Sequence, residues 1–574
     1  MFDQLFMAGL FFLMVTCLVF SRWKAVWIFV GAMILAYFAG LVDTEEVLDK
    51  ASNTGVMTLI LLLLASIGLE KLSWLSRLSG KLISKSYVAS LLRLGFVTAF
   101  FSAFVNNTAV VATLAHTVRS NREHPASKLL IPLSYAAILG GTMTLIGTST
   151  NLIVSSFLED ATGQGLAFFD FLLVGLSATL LGMVAILLGS RLLPEGHTEP
   201  IDINEYVIEA EVAASSSLIG RTILENKLRD LEDLFLVEIV RGNYLISPVA
   251  PHEYIEEGDK LIFSGDIKQV DILDSFDGLS LFALEEGLLR ENMMEVIVMP
   301  NAAIEGKTVK QSAFRSVFDA AVVGMRRGGK RLSGKLGNIT IEAGDNMMLA
   351  VGPDFNERKN LDKNFVVIDD SVVEAKTSPL QNYLVTVTLI AVVALASMDL
   401  VPLIKGIAFL LVIMLVLKVV KPSELRRRFP FELWLIIASA LTLSAALTNS
   451  GLVTILADAL HNNLASLGPY AALTGIYLGT LLLTELMTNN AAAALSFPIA
   501  FGLAESYGIS PMPFVMAVAY GASASFLTPY GYTTNLMVQN LGRYEFRDYF
   551  RAGLPLSIVY SVVVIMMIPL VFPF

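Results

Sequence analysis

Charge is scarce in this chain, and cysteine is nearly absent. Asp, Glu, Lys and Arg supply 16% of its 574 residues, well under the roughly 25% of soluble domains. The one cysteine, Cys17, sits in an apolar run, and only five histidines are present. A disulfide framework and a cysteine-based metal site are therefore excluded. With 55% apolar residues and a mean hydropathy of +0.67, the composition also excludes a disordered chain, a nucleic-acid binder and an ordinary cytosolic enzyme. Residues 1–4 carry no Lys or Arg, and no small-residue cleavage site follows. The first apolar run is expected to stay as a membrane helix.

The charge that exists is concentrated. Residues 201–376 hold 31 acidic and 19 basic side chains, so the formal net charge of −11 belongs almost wholly to this stretch. The order is membrane, soluble insert, membrane. Spans of about 20 apolar residues are expected at 5–21, 26–42, 55–70, 129–158 and 170–192, then at 379–397, 401–418, 430–449, 512–541 and 553–573. Two more apolar stretches, 86–118 and 469–505, are interrupted by Asn106-Asn107-Thr108 and Thr488-Asn489-Asn490. Each is expected to be a re-entrant hairpin with its polar tip at mid-membrane.

Basic residues test that topology, because cytoplasmic loops collect them. With both hairpins re-entrant, 19 of the 21 Lys and Arg residues outside the insert fall on one side; Lys50 and Lys405 do not. This sidedness puts the insert in the cytoplasm and both termini outside. The expected fold is a polytopic α-helical membrane protein built as an inverted repeat, five spans plus one hairpin in each half. The halves are 1–199 and 377–574, with soluble modules at 201–285 and 286–376.

The repeat shows at residue level. Val105-Asn106-Asn107-Thr108-Ala109 aligns with Thr488-Asn489-Asn490-Ala491-Ala492. Gly147-Thr148-Ser149-Thr150-Asn151-Leu152-Ile153-Val154 aligns with Gly531-Tyr532-Thr533-Thr534-Asn535-Leu536-Met537-Val538, with five of eight identical. The offsets, 383 and 384, keep register within one residue. Two hairpin tips and two breaks, in 141–151 and 521–535, thus bring irregular backbone to membrane depth, where it survives only if buried or lining a cavity. Freed carbonyls, hydroxyls and Asn oxygens suit Na⁺. Helix N-termini with Asn and Thr donors suit an anion. None of the four breaks contains Arg, Lys or His, so bound cations would offset the charge of an anionic substrate. Glu485, in a hairpin arm opposite Ser102 in the repeat, is an intramembrane acid. It can ligate a cation, carry a proton or pair silently with a buried donor.

The insert carries its own repeat. Gly220 to Gly306 and Gly258 to Gly344 are both 86 residues apart. Alternating β-type runs at 235–241 and 320–326 and helical stretches at 221–228 and 309–314 imply two tandem α+β modules. Each module resembles an RCK C-terminal (TrkA-C) domain, through Ile219-Gly220-Arg221-Thr222 and Glu257-Gly258-Asp259-Lys260-Leu261 and their second copies. The resemblance implies a cytoplasmic regulatory pair that binds a small ligand of unknown identity.

The membrane stretches Phe104-Val105-Asn106-Asn107-Thr108, Gly140 to Asn151, Thr484 to Ala491 and Leu527 to Asn535 resemble the divalent anion:sodium symporter (DASS) family over 5–192 and 379–574. That resemblance implies homodimers, two or more Na⁺ ions per anion and elevator-type alternating access in a bacterial inner membrane. By matching position, Asn107, Thr108, Asn490 and Thr148 or Thr528-Pro529 would contact the anion. Ser102, Asn106, Asn107 and Gly147 would hold one Na⁺. Thr488, Asn490 and a residue near 524–527 would hold another, with Asn489 and Glu485 beside them. The second tip has Ala491 where the family pattern has Thr. This asymmetry favours a compact tetrahedral anion such as sulfate over a dicarboxylate. A cation/proton antiporter working through Glu485 and an RCK-gated channel are the competing readings. A selectivity-filter repeat is missing, which argues against the channel, and no His/Asp/Glu cluster supports an enzyme.

Overall fold

The computed structural model describes every residue except 1, 22, 73–81, 122, 196–206, 229–230, 232–233, 243, 247–248, 266–275, 283–292, 300–301, 328–329, 333–335, 352–354, 356–357, 359–360, 368–376, 399, 456–467 and 543. The module and repeat boundaries near 200, 285 and 376, the loop 456–467, and Arg22, Arg77, Lys81, Arg122 and Arg543 lie outside the described residues.

The first half is helical: α1 (Phe2–Phe20), α2 (Ala25–Phe38), the short α3 (Thr44–Ala51), α4 (Thr54–Glu70), α5 (Tyr87–Ser102), α6 (Asn107–Ser120), α7 (Leu130–Gly141), α8 (Ser149–Thr162) and α9 (Leu172–Gly189). Among the described residues of the whole chain, six helices are long and apolar enough to cross a membrane, and five more are apolar but shorter. The helices start on local side-chain chemistry. Asn53 accepts from the Gly55 N–H at 2.8 Å to open α4, and Asp43 with Glu46 forms a capping box on α3, satisfying N–H groups that have no intrahelical partner.

The insert holds two sheets. The first contains β1 (Val207–Val212), β2 (Leu234–Arg241), β3 (Tyr244–Ile246), β4 (Lys260–Gly265) and β5 (Leu279–Phe282). The second contains β6 (Met293–Val298), β7 (Ala320–Arg327), β8 (Lys330–Arg331), β9 (Asn346–Val351) and β10 (Phe365–Val367), with α10 (Phe314–Phe318) before β7 and α11 (Leu361–Asn364) before β10. Their orders, β3-β2-β4-β1-β5 and β8-β7-β9-β6-β10, are the same arrangement. All pairings are antiparallel, and each sheet has a bulge at one position, between Leu236 and Glu238 and between Val322 and Gly324. An arginine on the second strand of each sheet grips the fully buried acid that opens the fourth: Arg241 Nε to Asp259 Oδ1 at 2.8 Å, Arg327 Nε to Asp345 Oδ1 at 2.7 Å. The expected helices at 221–228 and 309–314 do not form. Residues 221–228 are turns, with Lys227 at φ 57°, and α10 starts only after Ala313 at φ 49°. Left-handed residues at those points end a right-handed helix.

The second half follows with α12 (Pro379–Ser397), α13 (Leu403–Val416), α14 (Pro422–Arg427), α15 (Phe431–Asn449), α16 (Gly468–Leu486), α17 (Asn489–Tyr507), α18 (Met512–Ser523), α19 (Thr533–Gly542) and α20 (Phe546–Val571). The final helix begins seven residues before the expected 553, at a start where the Glu545 N–H donates to Asp548 Oδ2 at 2.9 Å. The stretches 129–158 and 512–541 each stop and restart, at 142–148 and 524–532. One shared core of aliphatic and aromatic side chains joins both halves.

Candidate functional site

The two breaks are built alike. Asn151 Nδ2 donates to the carbonyls of Gly141 (3.3 Å) and Thr144 (2.8 Å). Asn535 Nδ2 donates to those of Ser525 (3.0 Å) and Thr528 (3.3 Å). Each amide closes carbonyls that the broken helix would leave unpaired. A Cβ on Gly147 would lie 2.5 Å from the Gly141 oxygen, so that position requires glycine; one on Gly531 would lie 1.9 Å from Ser525 Oγ and 3.0 Å from the Thr484 oxygen. The first half also locks the second break in place: Tyr135 Oη donates to the Phe526 carbonyl at 2.7 Å, and Ser134 Oγ lies 2.7 Å from Asn535 Oδ1.

Between these breaks and the two tips lies a cavity of about 480 Å³. Four helices start at its wall: α6 at Asn107, α8 at Ser149, α17 at Asn489 and α19 at Thr533. Its far wall is aliphatic, with Leu389, Val392, Leu403, Ile407 and Leu410 from α12 and α13. No Asp, Glu, Lys, Arg or His is among the described residues that line it. Four positive helix ends therefore meet in one cavity with no counter-charge.

Eight of the residues singled out in the sequence line this cavity: Asn106, Asn107, Thr108, Gly147, Thr148, Thr488, Asn489 and Asn490. Three of them have local duties. Asn106 Oδ1 caps α6 by accepting from the Thr108 N–H at 2.9 Å. Thr488 caps α17. Asn489 Oδ1 accepts from Thr484 Oγ1 at 2.8 Å. Asn490 reaches across the halves, its Oδ1 accepting from Ser149 Oγ at 3.0 Å. Asn107 Oδ1 is buried with no partner.

Ser102, Glu485, Thr528 and Pro529 do not line the cavity. Ser102 is fully buried with an unpartnered hydroxyl. Thr528 Oγ1 accepts from the Gly531 N–H at 3.3 Å. Glu485 points into the second break, where Oε1 accepts from the N–H groups of Phe526 (3.0 Å) and Leu527 (2.9 Å) and Thr528 also reaches the carboxylate.

The sequence profile of the citrate transporter family matches residues 12–512. The chain belongs to this family. It is 34% identical, over 93% of its own length and 96% of the relative's, to a putative sulfur deprivation response regulator of Chlamydomonas reinhardtii. It is 32% identical to an uncharacterised transporter of Synechocystis over 93% and 91% of the two chains. Sodium/sulfate cotransporter 2 of Chlamydomonas reinhardtii is 30% identical over 62% of this chain and 42% of its own. The apolar helices and the family indicate that this citrate transporter family member is an integral membrane transporter.

One cavity residue of this family member escapes sequence reasoning. Tyr532 stands where the repeat alignment matches it to Thr148. Its hydroxyl accepts from Asn107 Nδ2 at 2.8 Å and lies 3.1 Å from Thr148 Oγ1, so one phenol from the second half meets the first tip and the first break together. Position 532 lies inside the repeated motif, but at one of its non-identical places, and identity was the signal being read.

Proposed function

We propose that this family member is a secondary active transporter that carries a small divalent anion with sodium, sulfate being the favoured anion. The observation that carries the reading is the meeting of four helix N-termini at one cavity whose described lining residues include no basic side chain. Helix-end N–H groups, Asn amides and hydroxyls can hold an oxyanion, but no fixed charge neutralises it, so cations must travel with it. Their candidate ligands are hard oxygens, which suit Na⁺. Near the first tip and break are Asn107 Oδ1, Ser102 Oγ and Thr150 Oγ1; near the second are Glu485 Oε2, Ser523 Oγ and Ser525 Oγ. All six are buried; five of them have no partner, while Thr528 reaches the Glu485 carboxylate. In this reading Asn107, Thr108, Thr148 and Asn490 contact the anion, with Asn106, Gly147, Thr488, Asn489 and Glu485 supporting two or more Na⁺ sites and Thr528-Pro529 shaping the second break.

The relatives named for sodium/sulfate cotransport and sulfur deprivation favour sulfate, and Tyr532 adds a hydroxyl to the cavity lining. The aliphatic wall from α12 and α13 offers a surface without directional bonds, as elevator-type sliding requires. The resemblance to the DASS family supports a homodimer in a bacterial inner membrane, the distribution of Lys and Arg supports both termini outside with the insert in the cytoplasm, and the RCK C-terminal resemblance supports regulation by a small ligand. The second reading is a di- or tricarboxylate symporter. The family's own name and the presence of both Asn tips at one cavity favour it.

Uptake of labelled sulfate and succinate into proteoliposomes, with Na⁺ or with choline outside, tests both. Saturable Na⁺-dependent sulfate uptake is expected. Uptake indifferent to every cation removes the coupling, and Na⁺ efflux against protons without an anion makes the protein an antiporter.

A further inference from the structure

The turn between residues 342 and 345 appears twice in the insert, once in each sheet, and the two copies have different surroundings. Both contain a glycine in the left-handed region, Gly258 at φ 77° and Gly344 at φ 83°. Both are followed by the buried acid that an arginine grips. In the first sheet the turn is exposed, and a Cβ on Gly258 would meet nothing within 4 Å. In the second, a Cβ on Gly344 would lie 2.9 Å from Leu536 Cγ and 3.1 Å from Asn540 Nδ2. The Gly344 carbonyl accepts a hydrogen bond from Asn540 of α19. Ala343, one residue earlier, lines the same cavity as Asn107, Thr148 and Asn490.

The seating is close. Thr108 and Thr533 on the membrane side face Val298 and Gly344 across a gap of only about 10 Å³, room for one water at most. Ile297, in β6, is buried in the core that joins the two membrane halves. Beside it, Glu295 Oε2 is 2.9 Å from Arg119 Nη1, with both side chains largely buried. The other oxygen of Glu295 accepts from Asn346 at 2.7 Å, two residues past Gly344. Thus the second sheet is tied to the last turn of α6 through Arg119 and to α19 through Asn540. These two helices begin at the cavity, at Asn107 and Thr533.

We infer that the Ala343 and Gly344 turn is a plug on the insert-side mouth of the cavity, and that transport requires the second sheet to withdraw from α6 and α19. The plug braces two of the four helix ends that hold the anion, so it blocks both the exit and the relative movement of those ends. The insert is then an inhibitor in its docked state. A turn of the same local structure in the first sheet does without any such contact, so the docking is not a requirement of the turn itself. This inference rests on the transport reading above.

The test uses the full chain in a Cys17→Ser background, reconstituted with the insert face accessible. Glu295→Arg and Arg119→Glu each break the ion pair, and the double variant restores it in reverse. Each single variant is expected to raise the initial rate of Na⁺-driven sulfate uptake by about fivefold or more, the lower end of ordinary coupling between sites. The double variant is expected to return to the parent rate. In parallel, Ala343→Cys is expected to resist a membrane-impermeant maleimide in the parent and to label readily when combined with Glu295→Arg. Rapid labelling in the parent overturns the plug, as do single variants that fold, expose position 343 and transport at the parent rate. If no variant moves sulfate or succinate, the transport reading fails. Labelling then decides alone: position 343 shielded in the parent and opened by Glu295→Arg keeps the seated turn, and any other pattern ends it.

Discussion

Asn107 and Asn490 are matched by the repeat yet sit in unlike bonds. Asn490 Oδ1 is engaged by Ser149, whereas Asn107 gives its amide to Tyr532 and keeps a buried oxygen free. In the proposed site, truncating either to alanine removes a polar group offered to the bound solute. Asn107→Ala and Asn490→Ala are therefore expected to abolish uptake while insertion and detergent monodispersity persist; parent rates in either variant would remove that residue from the site. Tyr532→Phe tests the residue that identity could not reveal. The ring stays and two hydrogen bonds go, each worth about 1 kcal/mol net. The KM for sulfate should rise several-fold, and the sulfate-to-succinate preference should fall. An unchanged preference would show that the phenol does not shape selectivity. The Asn tips were legible because a polar pair inside an apolar run has few uses in lipid. Tyr532 was not, because its role lies in where the two halves differ.

At the scale of elements, one amide in each break closes two of its freed carbonyls. Removing the Asn535 side chain leaves the Ser525 and Thr528 carbonyls without their donor, and a buried unsatisfied group costs about 1–3 kcal/mol. Asn535→Ala should therefore lower the unfolding midpoint measured by scanning fluorimetry, whereas Asn490→Ala should leave it close to the parent value. Equal midpoints for the two would refute the clamp. Gly, Thr and Asn crowding made these breaks visible in sequence. The expected helices at 221–228 and 309–314 misled because the backbone is left-handed at Lys227 and Ala313, where no glycine in the pattern signals it.

A second element-scale contact carries pH dependence. Glu424, opening α14, meets Lys71 at the end of α4 at 2.7 Å. Burial pushes its carboxyl up, but hydrogen bonds from the Lys71 ammonium and the Lys421 N–H outweigh that and hold it below the usual 4.5. A lowered carboxyl stabilises the fold fully above its unfolded value and loses that contribution as pH falls through the folded one. The midpoint difference between parent and Glu424→Gln should thus be largest near neutrality and shrink below about pH 4.5. A difference constant from pH 7 to pH 3.5 would show that the pair is not a stabilising contact.

For the whole molecule, composition separates the insert from the membrane halves but says nothing of how the two meet. The docked and free turns share their glycine, acid and arginine clamp, so no local pattern distinguishes Gly344 from Gly258; the difference lies in Leu536 and Asn540, almost two hundred residues further along the chain. That arrangement separates rate from selectivity. Every described polar group at the cavity comes from the membrane halves, and the insert contributes only Ala343, which has no side-chain donor or acceptor to rank one anion above another. Replacing 201–376 by a short linker should therefore raise the basal uptake rate and leave the sulfate-to-succinate ratio of kcat/KM where it was. A shifted ratio would mean that the insert shapes the bound anion directly, and an unshifted ratio at a lowered rate would mean that it drives transport rather than restrains it.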